Sequence, residues 1–193
     1  MTRWEFLQLL IDRRGYRSYL EIGAQKGKTF NRIHCPVKVG VDPVGAAATY
    51  RGTSDDYFAD PVWQQSFDLV FVDGLHEYGQ VLRDVYHSLA VLNPGGLVVM
   101  HDCNPVLERR QVQPSPGFGG WNGDTWKAFV DLRQRVNLDC ACGDFDQGMG
   151  VVIPRINTAV LVGATPLTWP ELVAHRQEWL RLMPPEKLIE WIG

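Results

Sequence analysis

The sequence predicts an α/β protein: a doubly wound, mostly parallel sheet of seven strands, helices on both faces, and an antiparallel hairpin strand near the C-terminus. Three observations carry that expectation. Short apolar runs of strand length alternate with stretches of helical spacing, the pattern of repeated β-α units. The run Phe67-Asp68-Leu69-Val70-Phe71-Val72 is almost continuously apolar, as suits a central parallel strand buried on both faces. Acidic residues close the runs at Glu21, Asp42, Asp73 and Asp102. In an open α/β sheet such residues gather at the carboxyl rim, where ligands sit.

Thr2 and Glu5 form a capping box, after which Phe6, Leu7, Leu10 and Ile11 share one helical face until Arg14-Gly15, so residues 1–15 read as an N-terminal helix. The first strand runs from Ser18 to Ile22 and enters the turn Gly23-Ala24-Gln25-Lys26-Gly27, with a helix expected through Arg32. Glycine lacks the Cβ that would hold a ligand off the backbone N–H groups, so this turn reads as a cofactor loop. Its spacing is not that of a dinucleotide fingerprint, because Gln25 stands where the middle glycine would fall, and no Walker pattern is present. The second strand, Val37 to Val41, ends on Asp42. An acid there, about 20 residues beyond the first loop, is where an α/β nucleotide fold places its acceptor for a ribose hydroxyl. Ser54-Asp55-Asp56-Tyr57-Phe58 reads as an N-cap opening a brief helix, with Ser54 and Asp55 at the border of an adenosine.

Beyond Asp73, Gly74 and Leu75 turn into a helix on which Val81, Leu82, Val85, Leu89 and Leu92 share a face, and Asn93-Pro94-Gly95-Gly96 is expected to end it. Leu97 to Met100 forms the next strand and runs out at His101-Asp102. Residues 105–124 are rich in proline and glycine around Phe118 and Trp121, too irregular for an element, and read as a lid loop. Asp124 is expected to cap a helix carrying Trp126, Phe129 and Val130. The runs Val136 to Cys142 and Gly150 to Ile153 are joined closely enough for a hairpin. Thr168 with Glu171 opens a final helix containing Leu172, Val173, Trp179, Leu180 and Met183, broken by Pro184-Pro185, so residues 168–193 read as C-terminal helices. Residues 1–193 are expected to form a single domain.

A chain of 193 residues with 45% hydrophobic and 21% charged content is globular, and its formal charge of -3 provides no basic footprint for nucleic acid. Cys35, Cys103, Cys140 and Cys142 match neither a zinc pattern nor a secreted disulfide framework, so a reducing, cytoplasmic setting is expected. Met1 to Arg14 is too short and too charged for a secretory signal, and no apolar run approaches the ~20 residues that span a bilayer.

The stretches Asp73-Gly74-Leu75-His76 and His101-Asp102 carry the chemistry. Neighbouring parallel strands end side by side, so Asp73 and Asp102 should face one another. Two such carboxylates repel unless a cation or a shared proton lies between them, and a divalent ion is the natural occupant. With His101 as a nitrogen donor, that ion would lower the pKa of a substrate hydroxyl and orient it. His76, one turn beyond Asp73, has a pKa near ~6.5 when unperturbed and is the candidate general base. The plain alternatives are strand-end acids that cap the following helices and a surface histidine in a first turn.

Glu21-x-Gly23-x-x-x-Gly27 is similar to the first motif of class I S-adenosylmethionine-dependent methyltransferases, whose domain is Rossmann-like. The resemblance implies Glu21 near the methionine amino end, Gly23 and Gly27 under the sulfonium region, Ala24 and Gln25 among the cofactor-binding residues of the same loop, and Asp42 at the ribose. Together with Asp73, His76 and Asp102, over roughly Tyr19 to Ile153, the chain resembles metal-dependent small-molecule O-methyltransferases of the macrolide-sugar and natural-product type. That likeness implies S-adenosyl-L-methionine and a divalent cation, magnesium or manganese, as cofactors. Asp73 and Asp102 fall on metal positions, Asp73 also on the cofactor site, and His76 on the base position. Many members carry Glu-Asp where this chain has His101-Asp102. The expected partner is a small hydroxylated acceptor, with no nucleic acid and no membrane, and a homo-oligomer stays open. The rival readings are an NAD-linked oxidoreductase, opposed by Gln25, and a cofactor-binding module without turnover.

Overall fold

The computed structural model describes residues 1–117 and 120–193; Phe118, expected in the lid, lies outside the described residues. The elements in chain order are α1 (Arg3–Arg14), β1 (Ser18–Ile22), β2 (Val37–Val41), α2 (Ser54–Ala59), β3 (Phe67–Val72), α3 (Tyr78–Ala90), β4 (Leu92–Met100), α4 (Thr125–Arg133), β5 (Asp139–Gly143), β6 (Met149–Ile153), α5 (Trp169–Trp179), β7 (Leu182–Met183) and α6 (Pro185–Ile192). The seven strands form a mixed sheet in the order β2-β1-β3-β4-β6-β5-β7. Two compact units are distinguished, one of residues 1–75 with 81–99 and one of residues 76–80 with 100–193.

In the first unit β1 is central and pairs in parallel with β2, Ser18 opposite Val37 and Ile22 opposite Val41, and with β3, Tyr19 opposite Leu69 and Ile22 opposite Val72. All five residues of β1 are buried, which is why this strand lacks the alternation of a half-exposed one. The capping box of α1 forms as expected, and Gly15 closes the helix in the left-handed conformation at φ 64. The helix expected through Arg32 is only a single 3-10 turn, Phe30–Arg32. Gly23, Gln25 and Gly27 hold φ values of 92, 41 and 74, so the chain curls through the loop. Too few residues then remain before Cys35-Pro36 for helix nucleation. Thr53, rather than Ser54, caps α2 and shares a capping box with Asp56. On α3 the buried face is Val81, Asp84, Val85 and Ser88, while Leu82 and Leu89 are half-buried. The Asn93-Gly96 punctuation lies inside β4 rather than ahead of it, because Asn93 Nδ2 donates to Asp68 Oδ1 at 2.8 Å and Phe67 N donates to Val91 O at 2.8 Å.

In the second unit β5 and β6 form the expected antiparallel hairpin, Asp139 opposite Ile153 and Gly143 opposite Met149. β5 begins at Asp139 rather than Val136, whose side chain is exposed. The final helix ends at Trp179, not Met183: Arg181 turns the chain at φ 46, and Leu182–Met183 pairs in parallel with β5. Residues after Pro184 then re-form a helix, α6. Asp124 and Thr168 stand at N-cap positions, but neither side chain caps. The Asp124 carboxylate instead accepts from Tyr78 N at 2.8 Å and from Gln113 Nε2 at 3.0 Å. The described part of the lid stretch is folded on itself, with Asn122 N and Gly123 N donating to Arg110 O and Trp121 Nε1 donating to Val112 O. Among the described residues, no helix is long and apolar enough to cross a membrane.

Candidate functional site

A cavity of about 550 Å³ opens at the carboxyl ends of β1, β2 and β3. That volume suits a small-molecule ligand. Its floor is the turn after β1, with Gly23 and Gln25; Asp42 closes β2 beside it, and Asp73 follows β3. Asp73 N donates to Ile22 O at 2.9 Å, which sets the β1 turn and the β3 terminus side by side. Val44 and Leu75 also line the cavity while standing 86% and 51% exposed, so its rim carries apolar surface that a ligand would cover.

The expected cofactor residues divide into two groups. Gly23, Gln25, Asp42, Ser54 and Asp73 line the cavity; Glu21, Ala24, Gly27 and Asp55 do not. Asp42 is held firmly, its Oδ2 accepting from Gln25 N at 3.0 Å and its Oδ1 from Val44 N at 2.9 Å and Gly45 N at 2.5 Å. Glu21 lies within β1 rather than at its end and is 2% exposed; its Oε2 accepts from the Tyr19 hydroxyl at 2.5 Å. Burial pushes the Glu21 carboxyl from 4.5 up to about 8, against the Tyr19 hydrogen bond, and the nearby Asp73 charge pushes in the same direction as burial.

That shift has a sign. A carboxyl whose folded pKa is raised binds more protons folded than unfolded between about pH 4.5 and 8, so stability falls as pH rises through that window. Melting temperatures followed from pH 5 to 8.5 should decline in the wild type and decline less in Glu21→Gln, the difference growing to on the order of a few kcal/mol. Parallel curves would remove Glu21 as the source.

Two further residues belong beside those expected, one lining the cavity and one contacting a residue that does. Asp84 of α3 is 1% exposed and lines the cavity, with Ser54 Oγ donating to its Oδ1 at 2.6 Å. Its signal was present, since an acid falls between Val81 and Val85 on the inward stripe. Arg3 of α1 donates from Nη1 to Asp73 Oδ2 at 2.7 Å, and nothing in the local sequence foretells a contact across 70 residues.

In the second unit, Asp102 is 2% exposed and takes φ 61, a conformation that costs a non-glycine residue free energy and is common at functional sites. Its Oδ1 accepts from Asn122 Nδ2 at 2.7 Å. Its Oδ2 lies 3.2 Å from His76 Nδ1 and 2.9 Å from His101 Nδ1. His76 Nδ1 also faces the Trp121 carbonyl at 3.3 Å, and the Trp121 indole stacks on the His76 ring with centroids 5.3 Å apart. Since Nδ1 meets only oxygen acceptors in these contacts, they favour the tautomer with hydrogen on Nδ1 and the basic lone pair on Nε2. His101 is expected as a metal ligand, yet its Nε2 is hydrogen-bonded at 2.8 Å to the Asp146 carbonyl oxygen, while its Nδ1 lies 2.9 Å from Asp102 Oδ2.

The strand order, the glycine turn over β1 and the acids following β2 and β3 together make the fold that of class I S-adenosylmethionine-dependent methyltransferases. Residues 27–103 match the family model described as a methyltransferase domain. Among solved structures, the O-methyltransferase TomG from Streptomyces achromogenes, involved in tomaymycin synthesis and seen with S-adenosylmethionine, is 19% identical, with 79% of each chain covered and a TM-score of 0.57. An O-methyltransferase from Bacillus cereus in complex with S-adenosylhomocysteine is 14% identical over 78% of this chain and 80% of that one, TM-score 0.57. The Podospora anserina methyltransferase PaMTH1, also bound to S-adenosylhomocysteine, is 14% identical over 80% and 78%, TM-score 0.56. No curated protein matches the chain in sequence.

Proposed function

We propose that the protein is an S-adenosylmethionine-dependent O-methyltransferase acting on a hydroxyl of a small molecule. The observation that carries this reading is the cavity of about 550 Å³ beyond β1–β3, with the Gly23 turn, Asp42 and Asp73 around it. A ribose hydroxyl suits an acceptor such as Asp42, and the cationic methionine end suits Asp73. When bound, the cofactor supplies an electrophilic methyl group on a sulfonium. In the proposed reaction His76 Nε2 would take the acceptor's hydroxyl proton, and the bound cofactor would supply the methyl group to that oxygen and leave as its neutral thioether. Asp102 and the Trp121 carbonyl orient the imidazole and favour the cation it becomes. Calorimetry with S-adenosylhomocysteine tests the cofactor half of the reading. A panel of sugars, polyols and phenols, scored by mass for the gain of one methylene, tests the other half.

A divalent cation is the second reading, favoured by one observation: Asp102 Oδ2 has two imidazole nitrogens within 3.2 and 2.9 Å, a cluster of groups able to act as ligands. Asp102 suits magnesium or manganese as an oxygen donor, with His101 a nitrogen donor only after its ring leaves Asp146. Asp73, the other residue expected to hold a metal, is paired with Arg3 at 2.7 Å. Under this reading, chelation abolishes turnover but spares S-adenosylhomocysteine binding, magnesium or manganese restores the rate, and manganese gives a bound-ion spin-resonance signal lost in Asp102→Ala. Full turnover in protein shown metal-free by elemental analysis removes the cation from the account.

A further inference from the structure

Arg3 sits at the first position of α1, where a cation is disfavoured, because the helix dipole places positive potential at that end. Something outside the helix must hold it there, and the contact is specific: Nη1 donates to Asp73 Oδ2 at 2.7 Å, with the two side chains 25% and 16% exposed. The first turn is itself fixed. Thr2 N and Oγ1 donate to Glu5 Oε2 at 2.7 and 2.9 Å, and Phe6 and Leu7 one turn later are fully buried. The guanidinium is therefore presented on an anchored support rather than on a loose terminus.

Asp73 in turn lines the cavity beside the Gly23 turn. Glu21 lies close enough to feel its charge, and two acids in so little solvent cannot both ionise cheaply. The two acids are partnered differently: Asp73 meets the Arg3 guanidinium, whereas Glu21 is buried against the Tyr19 hydroxyl. One oxygen of Asp73 is engaged by Arg3, which fixes the direction of the other.

We propose that Arg3 is a positioning residue of the cofactor site, holding the Asp73 carboxylate oriented toward the ammonium of the cofactor's amino-acid end, so that the N-terminal helix is part of the binding machinery. The proposal rests on the methyltransferase reading above. It commits Arg3 to one portion of the ligand and to no contact with the nucleoside.

The test uses two ligands on the full chain. S-adenosylhomocysteine carries the amino acid, whereas 5′-methylthioadenosine keeps the nucleoside and thioether and lacks it. Calorimetry should show Arg3→Gln weakening S-adenosylhomocysteine by about 10- to 100-fold, the scale of one charge-assisted hydrogen bond, with methylthioadenosine changed by less than about twofold. Arg3→Lys should recover part of the loss, since it keeps the charge but not the planar fork. Equal losses for both ligands would make Arg3 a merely structural residue, and no loss for either would leave it without a role; both outcomes overturn the proposal. A wild-type protein that binds neither ligand overturns the cofactor reading itself, a result distinct from either. Should Arg3→Gln fail to fold, Arg3→Lys decides alone: an intermediate loss confined to S-adenosylhomocysteine supports the role, and unchanged affinity overturns it.

Discussion

Gly23→Val should abolish binding of S-adenosylmethionine and S-adenosylhomocysteine, and should do so through the protein before the ligand is considered. A Cβ at Gly23 would run into the carbonyl of Asp73, and φ 92 there is a conformation that a β-branched residue adopts only under strain. The strain of such a backbone and the overpacking together amount to roughly 2–6 kcal/mol, enough to part the β1 turn from the β3 terminus or to unfold the first unit. Gly95→Ala is the matched control. Its φ of 82 is similarly left-handed, but a Cβ there meets nothing within 4 Å, so it should cost only the backbone term and leave the cavity intact. Calorimetry and melting curves on both variants read the comparison. A Gly23→Val protein with wild-type melting and wild-type affinity would sink the assignment of this turn to the site.

Loss of His76 should be the largest purely catalytic effect. His76→Ala is expected to lower kcat by about 10²- to 10⁴-fold, the usual contribution of a general base, with little change in affinity for S-adenosylhomocysteine. Asp102→Asn should lower kcat in the same direction while shifting the His76 tautomer, because the amide can present an N–H where the carboxylate presented an acceptor. Nitrogen chemical shifts of the His76 ring in the resting protein report that change independently of turnover. If kcat survives His76→Ala within a factor of a few, the proton leaves by another route and the proposed role falls.

How much of this could be read in advance depended on how local each cause is. The apolar run of β3 and the capping box of α1 are written in adjacent residues, and both stand where expected. Only a 3-10 turn stands where a helix is expected after Gly27, because the loop's positive φ values include Gln25, and a glutamine does not advertise that conformation. Asn93-Pro94-Gly95-Gly96 reads as punctuation until its cross-strand partner is seen, and Asp68 supplies that partner. The candidate site divides in the same way. Gly23, Asp42 and Asp73 reach the cavity because each follows or ends a strand, a position set by pattern. Glu21 is one residue too early and turns into the core beside Tyr19. Asp84 was legible as an acid on an inward stripe, whereas Arg3 and Asn122 join their acids across 70 and 20 residues, through contacts that only the tertiary fold creates.

Asp42 has a consequence for how a ligand would be received. Three backbone N–H groups, from Gln25, Val44 and Gly45, converge on its two oxygens, so one carboxylate staples the loop after β1 to the loop after β2. The conformational entropy of ordering both loops is thereby lost during folding rather than at encounter. A ribose hydroxyl arriving at Asp42 meets a rigid acceptor with most of its lone-pair positions already taken, and therefore has few orientations to choose from. What looks like a single recognition contact is equally a fastener of the loops that frame the cavity, and removing it would leave the ligand to reorganise them.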